Sequence, residues 1–338
     1  MTLWTDLVTP AELTGYTRQS LSDYEAQRGT LAQFLPNVDV SDVVARFYAG
    51  VSGLVSEARY RAFDAEPEVG KAPGGRRVTI DLPALSLEVP VSELAQLRSR
   101  GASEEAQRNA IFKVAEAVAR GTADRTERMR GTVLATGKAT IAQDNFSDEA
   151  DFGRDASLTV TAATLWSATG ATPLEDLLLY VDTYRSANGV APGALVMSSR
   201  VASVLAKSPA FATVVQGGSR QATPTEVAAT LAGYGLPEVV IYDRRTSGGR
   251  IIPDNTILLL PEPVEPNQGA ESELGGTFWG QTLTSQDAAY QLADVDQPGL
   301  VVGVYRNPKP PMIAEVISDA IALPVLANAN LSMAVKVL

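Results

Sequence analysis

The sequence of 338 residues contains no cysteine and no histidine. The absence of cysteine excludes disulfides, thiolate nucleophiles and cysteine-ligated metals. The absence of histidine removes the commonest general base and metal ligand, and with it Ser-His-Asp triads and zinc-protease motifs. Carboxylate, lysine and tyrosine chemistry remains possible. The two absences therefore lower the expectation of an enzyme without excluding one.

Long apolar runs are also missing. No window has the roughly 18 consecutive apolar residues of a membrane helix. The N-terminal sequence MTLWTDLVTPAEL has no basic segment followed by an apolar run, which argues against a signal peptide. We expect a soluble protein that is made in a cytoplasm and has no membrane partner.

Basic residues are outnumbered, with 28 Lys and Arg against 39 Asp and Glu, so the formal net charge is −11. Because affinity for nucleic acid comes from neutralising phosphates, this balance disfavours DNA binding as the main function. An inner wall that weakly repels DNA would still suit a container for DNA, with only weak, non-specific contact. The length allows one large domain or two smaller ones.

The most informative stretch is residues 51–91. In VSEARYRAF, strict alternation places Arg59 and Arg61 on one face of a strand. The return run RRVTIDLPALSLEVPV alternates in one phase up to Leu82 and in the opposite phase after Pro83, which predicts a kink or bulge there. Because DAEPEVGKAPGG between the two runs is rich in turn residues, we predict a long two-stranded hairpin.

This hairpin is basic within an acidic protein. One interpretation is a solvated edge ribbon. The other is an arm that docks on an acidic neighbour, because an isolated two-stranded ribbon is only marginally stable in water. The predicted inter-subunit contact residues are Arg59, Arg61, Lys71, Arg76 and Arg77.

The remaining elements predict an α+β fold. Residues 1–50 are expected to form an arm with short helices. Residues 92–130 predict a long helix that is N-capped by Ser92 and interrupted at Gly101, with Gly121 as a second candidate break. The chain is then expected to leave this helix through Gly131 and Gly137 into a strand.

Further along the chain, residues 173–235 alternate between helix and strand, and strands dominate from residue 237 onward. Within the long helix, Asp124 and Arg128 have the spacing of an i,i+4 ion pair. The sequence shows no internal repeat and no low-complexity tract.

Two short motifs resemble nucleotide sites only partly. Between Gly131 and Gly137 lie five residues instead of the four of a P-loop, and Ala139 stands where Ser or Thr would bind Mg²⁺. The sequence DFG at 151–153 lacks the other kinase motifs, so we predict the end of a strand there.

Acidic clusters are the remaining candidates for chemistry. Glu104 and Glu105 are neighbours on a helix and do not face one another. Glu271 and Glu273 fall in a polar loop. Both clusters are interpreted as solvated surface, and no catalytic, cofactor-binding or metal-binding residue is predicted.

The order of these elements resembles the tailed-phage major capsid fold, also known as the Hong Kong or Johnson fold. Several segments look more specifically like the lambda-type major capsid proteins, the major capsid protein E family. The segments that carry this resemblance are LPN at Leu35–Asn37, YRAFDAEPEVG at Tyr60–Gly70, VLATGKATI at Val133–Ile141, DFGRD at Asp151–Asp155, IPDNTILLLP at Ile252–Pro261 and the ending LPVLANANLSMAVKVL.

The resemblance implies five parts. They are an N-terminal arm over 1–52, an E-loop hairpin over 53–91, a peripheral domain with a spine helix over 92–165, an axial domain over 166–299, and C-terminal strands of the peripheral domain over 300–338.

The implied function is structural: a subunit of an icosahedral head that encloses double-stranded DNA. The implied partners are further copies of the chain in pentamers and hexamers, with scaffolding, portal and decoration proteins. The implied location is the virion capsid, after assembly in the host cytoplasm. Two alternatives stay open, an encapsulin-like nanocompartment shell of the same fold and a carboxylate-dependent hydrolase.

Overall fold

A computed structural model describes residues 1–27, 29–49, 76–98, 103–143, 146–215, 218–266 and 272–338. No helix within these ranges is long and apolar enough to span a membrane. The α-helices of the described ranges are α1 Pro10–Gln27, α2 Glu93–Arg98, α3 Glu104–Thr136, α4 Pro173–Asn188, α5 Ser199–Lys207, α6 Pro224–Gly233 and α7 Leu283–Gln286.

The strands, in the same ranges, are mostly short. They are β1 Thr2–Leu3, β2 Asn37–Asp39, β3 Val44–Ala49, β4 Arg76–Asp81, β5 Ala84–Val91, β6 Lys138–Gln143, β7 Phe146–Asp151, β8 Thr159–Thr161, β9 Ala194–Met197, β10 Thr213–Val215, β11 Gly218–Arg220, β12 Glu238–Ile241, β13 Arg245–Thr246, β14 Gly249–Arg250, β15 Thr256–Leu260, β16 Gly275–Gly280, β17 Val301–Arg306, β18 Ala314–Leu326 and β19 Met333–Lys336.

The first of two main sheets has six strands and is organised around the long strand β18. Strands β17 and β16 pair with successive halves of β18, both antiparallel, and β5 pairs antiparallel with residues 314–321. At the margins, β1 pairs with β17 and β2 runs parallel to β16. The apolar face of this sheet packs against α1 and α3.

The second sheet has the strand order β12-β9-β15-β19-β8. The outer pairs β12–β9 and β19–β8 are parallel, and the inner pairs are antiparallel. All four residues of β9 are buried, as are the last four of β15. Such continuous apolar runs are typical of strands that are covered on both faces.

Each of the two sheets contains strands from both predicted C-terminal parts, residues 166–299 and residues 300–338. Strand β16, within residues 166–299, lies in the first sheet beside β18. Strand β19, within residues 300–338, lies in the second sheet beside β15. A domain inserted before the C-terminal strands would need the chain to enter the second sheet and return to the first only once. Here the chain enters the second sheet again after β18, as strand β19.

Helix α3 begins later than the predicted helix over 92–130 and extends further, to Thr136. It is N-capped by Ser103, whose side chain accepts a hydrogen bond from Ala106 N, and it ends at Gly137 in the left-handed conformation at φ 73°. The predictions of a break at Gly121 and an exit at Gly131 were wrong, because the helix runs through both. Gly101 lies outside the described residues.

Packing explains the two internal glycines of α3. A Cβ atom on Gly121 would lie 2.5 Å from Leu87 Cδ2, and one on Gly131 would lie 2.4 Å from Ile251 Cγ2. The glycines therefore allow β5 and the loop at Ile251 to approach the helix closely. The packing that this close approach permits overrides the low helix propensity of glycine.

Helix α1 is a single helix of 18 residues, where short helices were expected. Leu13 and Thr17 are buried on its inner face. Thr14 joins the helix to the first sheet, because its hydroxyl accepts from Val302 N at 3.1 Å. The helix therefore belongs to the packed body of the protein.

One contact between neighbouring strands of the first sheet brings two carboxyl groups together. Glu315 on β18 shares a side-chain hydrogen bond with Glu88 on the neighbouring strand β5. Burial raises the pKa of Glu315 above its ordinary value, and the charge and hydrogen bond of Glu88 raise it further, while the N-terminal amine acts in the opposite direction.

This carboxyl pair gives a prediction about stability and pH. Because the folded state raises the pKa of Glu315 above 4.5, its stabilising contribution is present below pH 4.5 and is lost as the pH rises above it. We expect Glu315→Gln to raise the thermal unfolding temperature at pH 7 and to leave it nearly unchanged at pH 4. Glu238→Gln, on the outer strand β12, is the control. A lower unfolding temperature for Glu315→Gln at pH 7 would contradict the assignment.

Candidate functional site

In the described residues, the predicted hairpin corresponds to a two-stranded antiparallel ribbon of β3 and β4. Its register runs from Val44 opposite Asp81 to Ala49 opposite Arg76. The pairing thus begins nearer the N-terminus than the sequence indicated. Residues 50–75, which include the rest of the hairpin, lie outside the described ranges.

Both ends of the ribbon join the first sheet. On the entering side, Val40 N donates to Trp279 O at 2.8 Å, just after β2. Leu82 N then closes the base of the ribbon by donating to Val43 O at 2.9 Å. On the leaving side, Pro83 O accepts from Ala322 N at 3.2 Å. The ribbon is therefore held by two strands of one sheet, and that sheet sets the direction in which the ribbon leaves the body.

The sequence predicted a kink or bulge at Pro83 within one long strand of the hairpin, but the structure ends the hairpin strand there, and the run after Pro83 belongs to the first sheet. Strand β4 ends at Asp81 and pairs with β3, whereas β5 begins at Ala84 and pairs with β18. The change of alternation phase therefore marks a change of sheet. Proline suits this position because it has no N–H to donate to either ladder.

The five predicted contact residues can be placed only in part. Arg59, Arg61 and Lys71 lie outside the described residues. Arg76 and Arg77 lie on β4, where they pair by backbone with Ala49 and Tyr48. Their role in contacts between subunits therefore stays a prediction.

Beneath the base of the ribbon lies a fully buried arginine, Arg130 of α3, whose side chain has 0% exposure. Its Nη1 donates to Glu25 Oε1 at 2.5 Å and to Glu127 Oε2 at 3.2 Å. Its Nη2 donates to Asn37 Oδ1 at 2.6 Å, and its Nε to Thr277 Oγ1 at 2.9 Å. Every nitrogen of the guanidinium therefore has a partner.

These partners connect the ribbon to the body. Asn37 is the first residue of β2, the strand that precedes the ribbon, and its Nδ2 donates to Glu25 Oε2 at 2.8 Å. Its Oδ1 also accepts from Trp279 Nε1 at 3.0 Å. One asparagine is thus held by α1, α3 and β16 together.

A second branch reaches toward the second sheet through Glu127. Its Oε1 accepts from Tyr242 Oη at 2.7 Å and from Leu31 N at 2.8 Å. Arg244 Nη1 lies 3.6 Å from the same oxygen, and the Arg244 guanidinium also covers the ring of Tyr24 at 4.7 Å. We call this set the Arg130 network; its members are Glu25, Asn37, Glu127, Arg130, Tyr242, Arg244 and Thr277.

The ionisation of the network follows from burial and from its charges. Burial alone would lower the pKa of Arg130, but the charges of Glu25 and Glu127 raise it above the ordinary value. Burial raises the pKa of Tyr242, and the charge of Glu127 raises it further. Arg130 therefore stays charged and Tyr242 stays neutral at physiological pH. All four carboxylate oxygens of Glu25 and Glu127 accept hydrogen bonds, so the arrangement is suited to fixing elements in place.

Sequence reasoning missed this network. The i,i+4 spacing suggested that Asp124 pairs with Arg128, and that prediction was wrong. Asp124 accepts instead from Arg244 Nη2 at 3.0 Å. Arg128 donates to Gly249 O at 3.0 Å and to Arg250 O at 3.2 Å. The only local signal was Glu127 three residues before Arg130, a spacing that surface pairs share.

The segment DFGRD has a structural role at the end of α3. Strand β7 ends at Asp151, as predicted. Arg154 donates to Leu134 O at 2.8 Å and to Ala135 O at 2.7 Å, which are carbonyls of the last helical turn. Burial lowers the pKa of Arg154 to about 10. The segment therefore caps the C-terminus of the long helix.

The near P-loop at 131–138 covers the C-terminal turn of α3 and its cap at Gly137. Phosphates are bound at helix N-termini, where free N–H groups point outward, whereas a C-terminus presents carbonyls. Glu104 and Glu105 are exposed in the first turn of α3, Glu273 is exposed in a loop, and Glu271 lies outside the described ranges. In the described part of the chain, no group of three or more acidic side chains could hold a metal ion.

Comparison with known proteins gives a result at the level of structure alone. No protein-family model matches the sequence, and no curated protein matches it either. Among solved structures, a protein assigned as the capsid protein of a prophage of E. coli CFT073 matches with a TM-score of 0.65 and 14% identity, over 98% of this chain and 99% of that chain. A phage-related protein from Bordetella bronchiseptica RB50 matches with a TM-score of 0.56 and 14% identity, over 96% and 95%.

This chain has the phage capsid fold. The predicted α+β class is thereby confirmed. An encapsulin complex from Synechococcus elongatus PCC 7942 also matches, with a TM-score of 0.43 and 12% identity, over 90% of this chain and 86% of that chain.

The Arg130 network gives a prediction about stability. Arg130→Met leaves Glu25 and Glu127 buried without the guanidinium that pairs with both of them, and we expect the free energy of unfolding to fall by about 3–5 kcal/mol. Chemical denaturation followed by circular dichroism measures this loss. The matched control is Arg108→Met, which removes an exposed pair with Glu12 and should change the stability by about 0–1 kcal/mol. Equal losses in the two variants would contradict the role given to Arg130.

Proposed function

We propose that the chain is the major capsid subunit of a tailed bacteriophage, which self-assembles into the icosahedral head around double-stranded DNA. The observation that carries this proposal is the match to the prophage protein, which extends over 98% of this chain and 99% of that one.

The ribbon supports the proposal. A two-stranded ribbon is marginally stable alone and needs a surface to lie on. Its base is tied to the first sheet on both sides, so the chain presents the hairpin in a defined direction. In the proposed shell, the hairpin lies across the peripheral domain of the adjacent subunit, and its basic residues meet an acidic neighbour.

Exposed apolar side chains around the second sheet provide further contact surface. Leu178 and Leu179 on α4 are 40% and 60% exposed, and Ile241 on the outer strand β12 is 48% exposed. Large apolar side chains at the surface are typical of interfaces when they are contiguous. In the proposed shell, this region clusters around the five-fold and quasi-six-fold centres as pentamers and hexamers.

The remaining partners follow from the same proposal. Scaffolding, portal and decoration proteins would join the shell, and packaged DNA would make only weak contact with an acidic wall. The location is the virion, after assembly in the host cytoplasm.

The first test is to express the chain alone, separate the product by size-exclusion chromatography and image it by negative-stain electron microscopy. We expect shells, tubes or ring-shaped capsomers. A chain that stays monomeric or dimeric, also when it is co-expressed with its neighbouring genes, would contradict the proposal. Native particles that hold a protein cargo and no DNA would favour the nanocompartment shell instead.

A double substitution tests the docking of the hairpin. We expect Arg59→Glu with Arg61→Glu to block shell formation and to leave the subunit folded. Each exposed ion pair contributes only about 0–1 kcal/mol, but the symmetry of a shell repeats it in every subunit. The control is Arg59→Lys with Arg61→Lys, which keeps the charge and should assemble. Normal shells from the Glu variant would rule out this role.

A further inference from the structure

Arg125 differs from the other described arginines of α3. Arg108, Arg120, Arg128 and Arg130 each have a hydrogen-bonding partner within the chain. Arg125 is half-buried, yet it has no such partner among the described residues. Burial lowers the pKa of Arg125, and the charge of Arg128 lowers it further. A guanidinium that is partly removed from water and left unpaired is costly in the isolated subunit.

The side chain of Arg125 lines a recess of about 50 Å³ that is open to the surface. The recess lies where α3 meets the kink at Pro83 and the hairpin of β6 and β7. Its walls are mostly apolar and include Leu85 and Phe146, and Phe146 is 47% exposed. On the same scale, a space of about 10–15 Å³ holds one water molecule, so a group as small as a carboxylate fits.

We propose that this recess receives a carboxylate side chain from a second copy of the chain, which pairs with Arg125. We call it the Arg125 recess. The inference rests on the proposed assembly into a shell and names one contact within it. A planar guanidinium matches a carboxylate with two parallel hydrogen bonds, and the apolar rim becomes covered in the same step.

A carboxylate from a second copy of the chain fits the Arg125 recess better than a phosphate of DNA does. Binding to a phosphate backbone uses several cations along a groove. Of the residues that line the recess, only Arg125 is cationic, and the nearby Arg128 is bonded to Gly249 and Arg250. Acidic residues outnumber basic ones by 39 to 28, so carboxylates without a basic partner are abundant on every copy.

Charge reversal is the first test. We expect Arg125→Glu to reduce the yield of sedimenting particles at least about tenfold, because it places a like charge against the incoming carboxylate. Arg125→Met, which keeps the bulk and removes the charge, should give an intermediate loss. Circular dichroism and thermal melting of the unassembled subunits verify that the variants fold.

The matched control is Arg120→Glu, on the same helix, where the arginine is already paired with Glu116. This control should assemble at nearly the yield of the unsubstituted chain. Equal losses in Arg120→Glu and Arg125→Glu would show a general sensitivity to charge and would overturn the inference. So would normal particles from Arg125→Glu.

Cross-linking identifies the partner. Arg125→Lys places an amine in the recess, and a water-soluble carbodiimide couples that amine to an adjacent carboxylate as an amide, while the carbodiimide takes up the water as a urea. Particles assembled from mixed isotope-labelled and unlabelled subunits are digested and analysed by mass spectrometry. We expect a link from position 125 to an Asp or Glu of a different copy, in particles and not in unassembled subunits.

Each other outcome contradicts the inference. A link only within one copy would mean that the chain fills its own recess. Normal empty particles from Arg125→Glu, with loss of DNA retention alone, would assign the recess to phosphate. Failure of the unsubstituted chain to assemble would count against the proposed function. Normal assembly of both the unsubstituted chain and Arg125→Glu would count only against the Arg125 recess.

Discussion

The burial of Arg130 is the constraint on which the rest of the structure depends. A guanidinium with 0% exposure is tolerated only if its charge and all its donors find partners. Those partners come from α1, β2, α3 and β16, which are far apart in the sequence. The N-terminal helix, the entry to the ribbon and the first sheet therefore have to come together around one side chain.

This constraint accounts for how the ribbon is presented. Asn37 is fixed by Arg130, Glu25 and Trp279 just before the chain enters the ribbon, and Pro83 returns the chain to the same sheet. Replacing a buried ion pair with apolar residues is often neutral or stabilising, so stability alone does not explain the network. We infer that it serves specificity, because this arrangement of the elements gives every nitrogen of Arg130 a partner.

Sequence patterns predicted the parts of the fold that depend on local physics. Alternation and one proline located the change at Pro83, and a strand end was predicted correctly at Asp151. Helix α3 was recognised, but its continuation through Gly121 and Gly131 depends on the close approach of Leu87 and Ile251. The partners of Arg130 were equally out of reach, because no spacing rule relates residues that meet only after the sheets have formed.

The distribution of charge separates what the subunit needs in order to fold from what it presents to other molecules. Ion pairs that are buried in this chain, such as Arg130 with Glu25, are complete without a partner molecule. Exposed leucines on α4 lie at the surface, as does Arg125 of α3, which has no partner in the part of the chain that the structure describes. In the shell that we propose, a subunit has to fold before it assembles, and each of its contacts has to be weak so that a misplaced copy can dissociate. A body closed by strong internal pairs, with incomplete surface sites, meets both requirements.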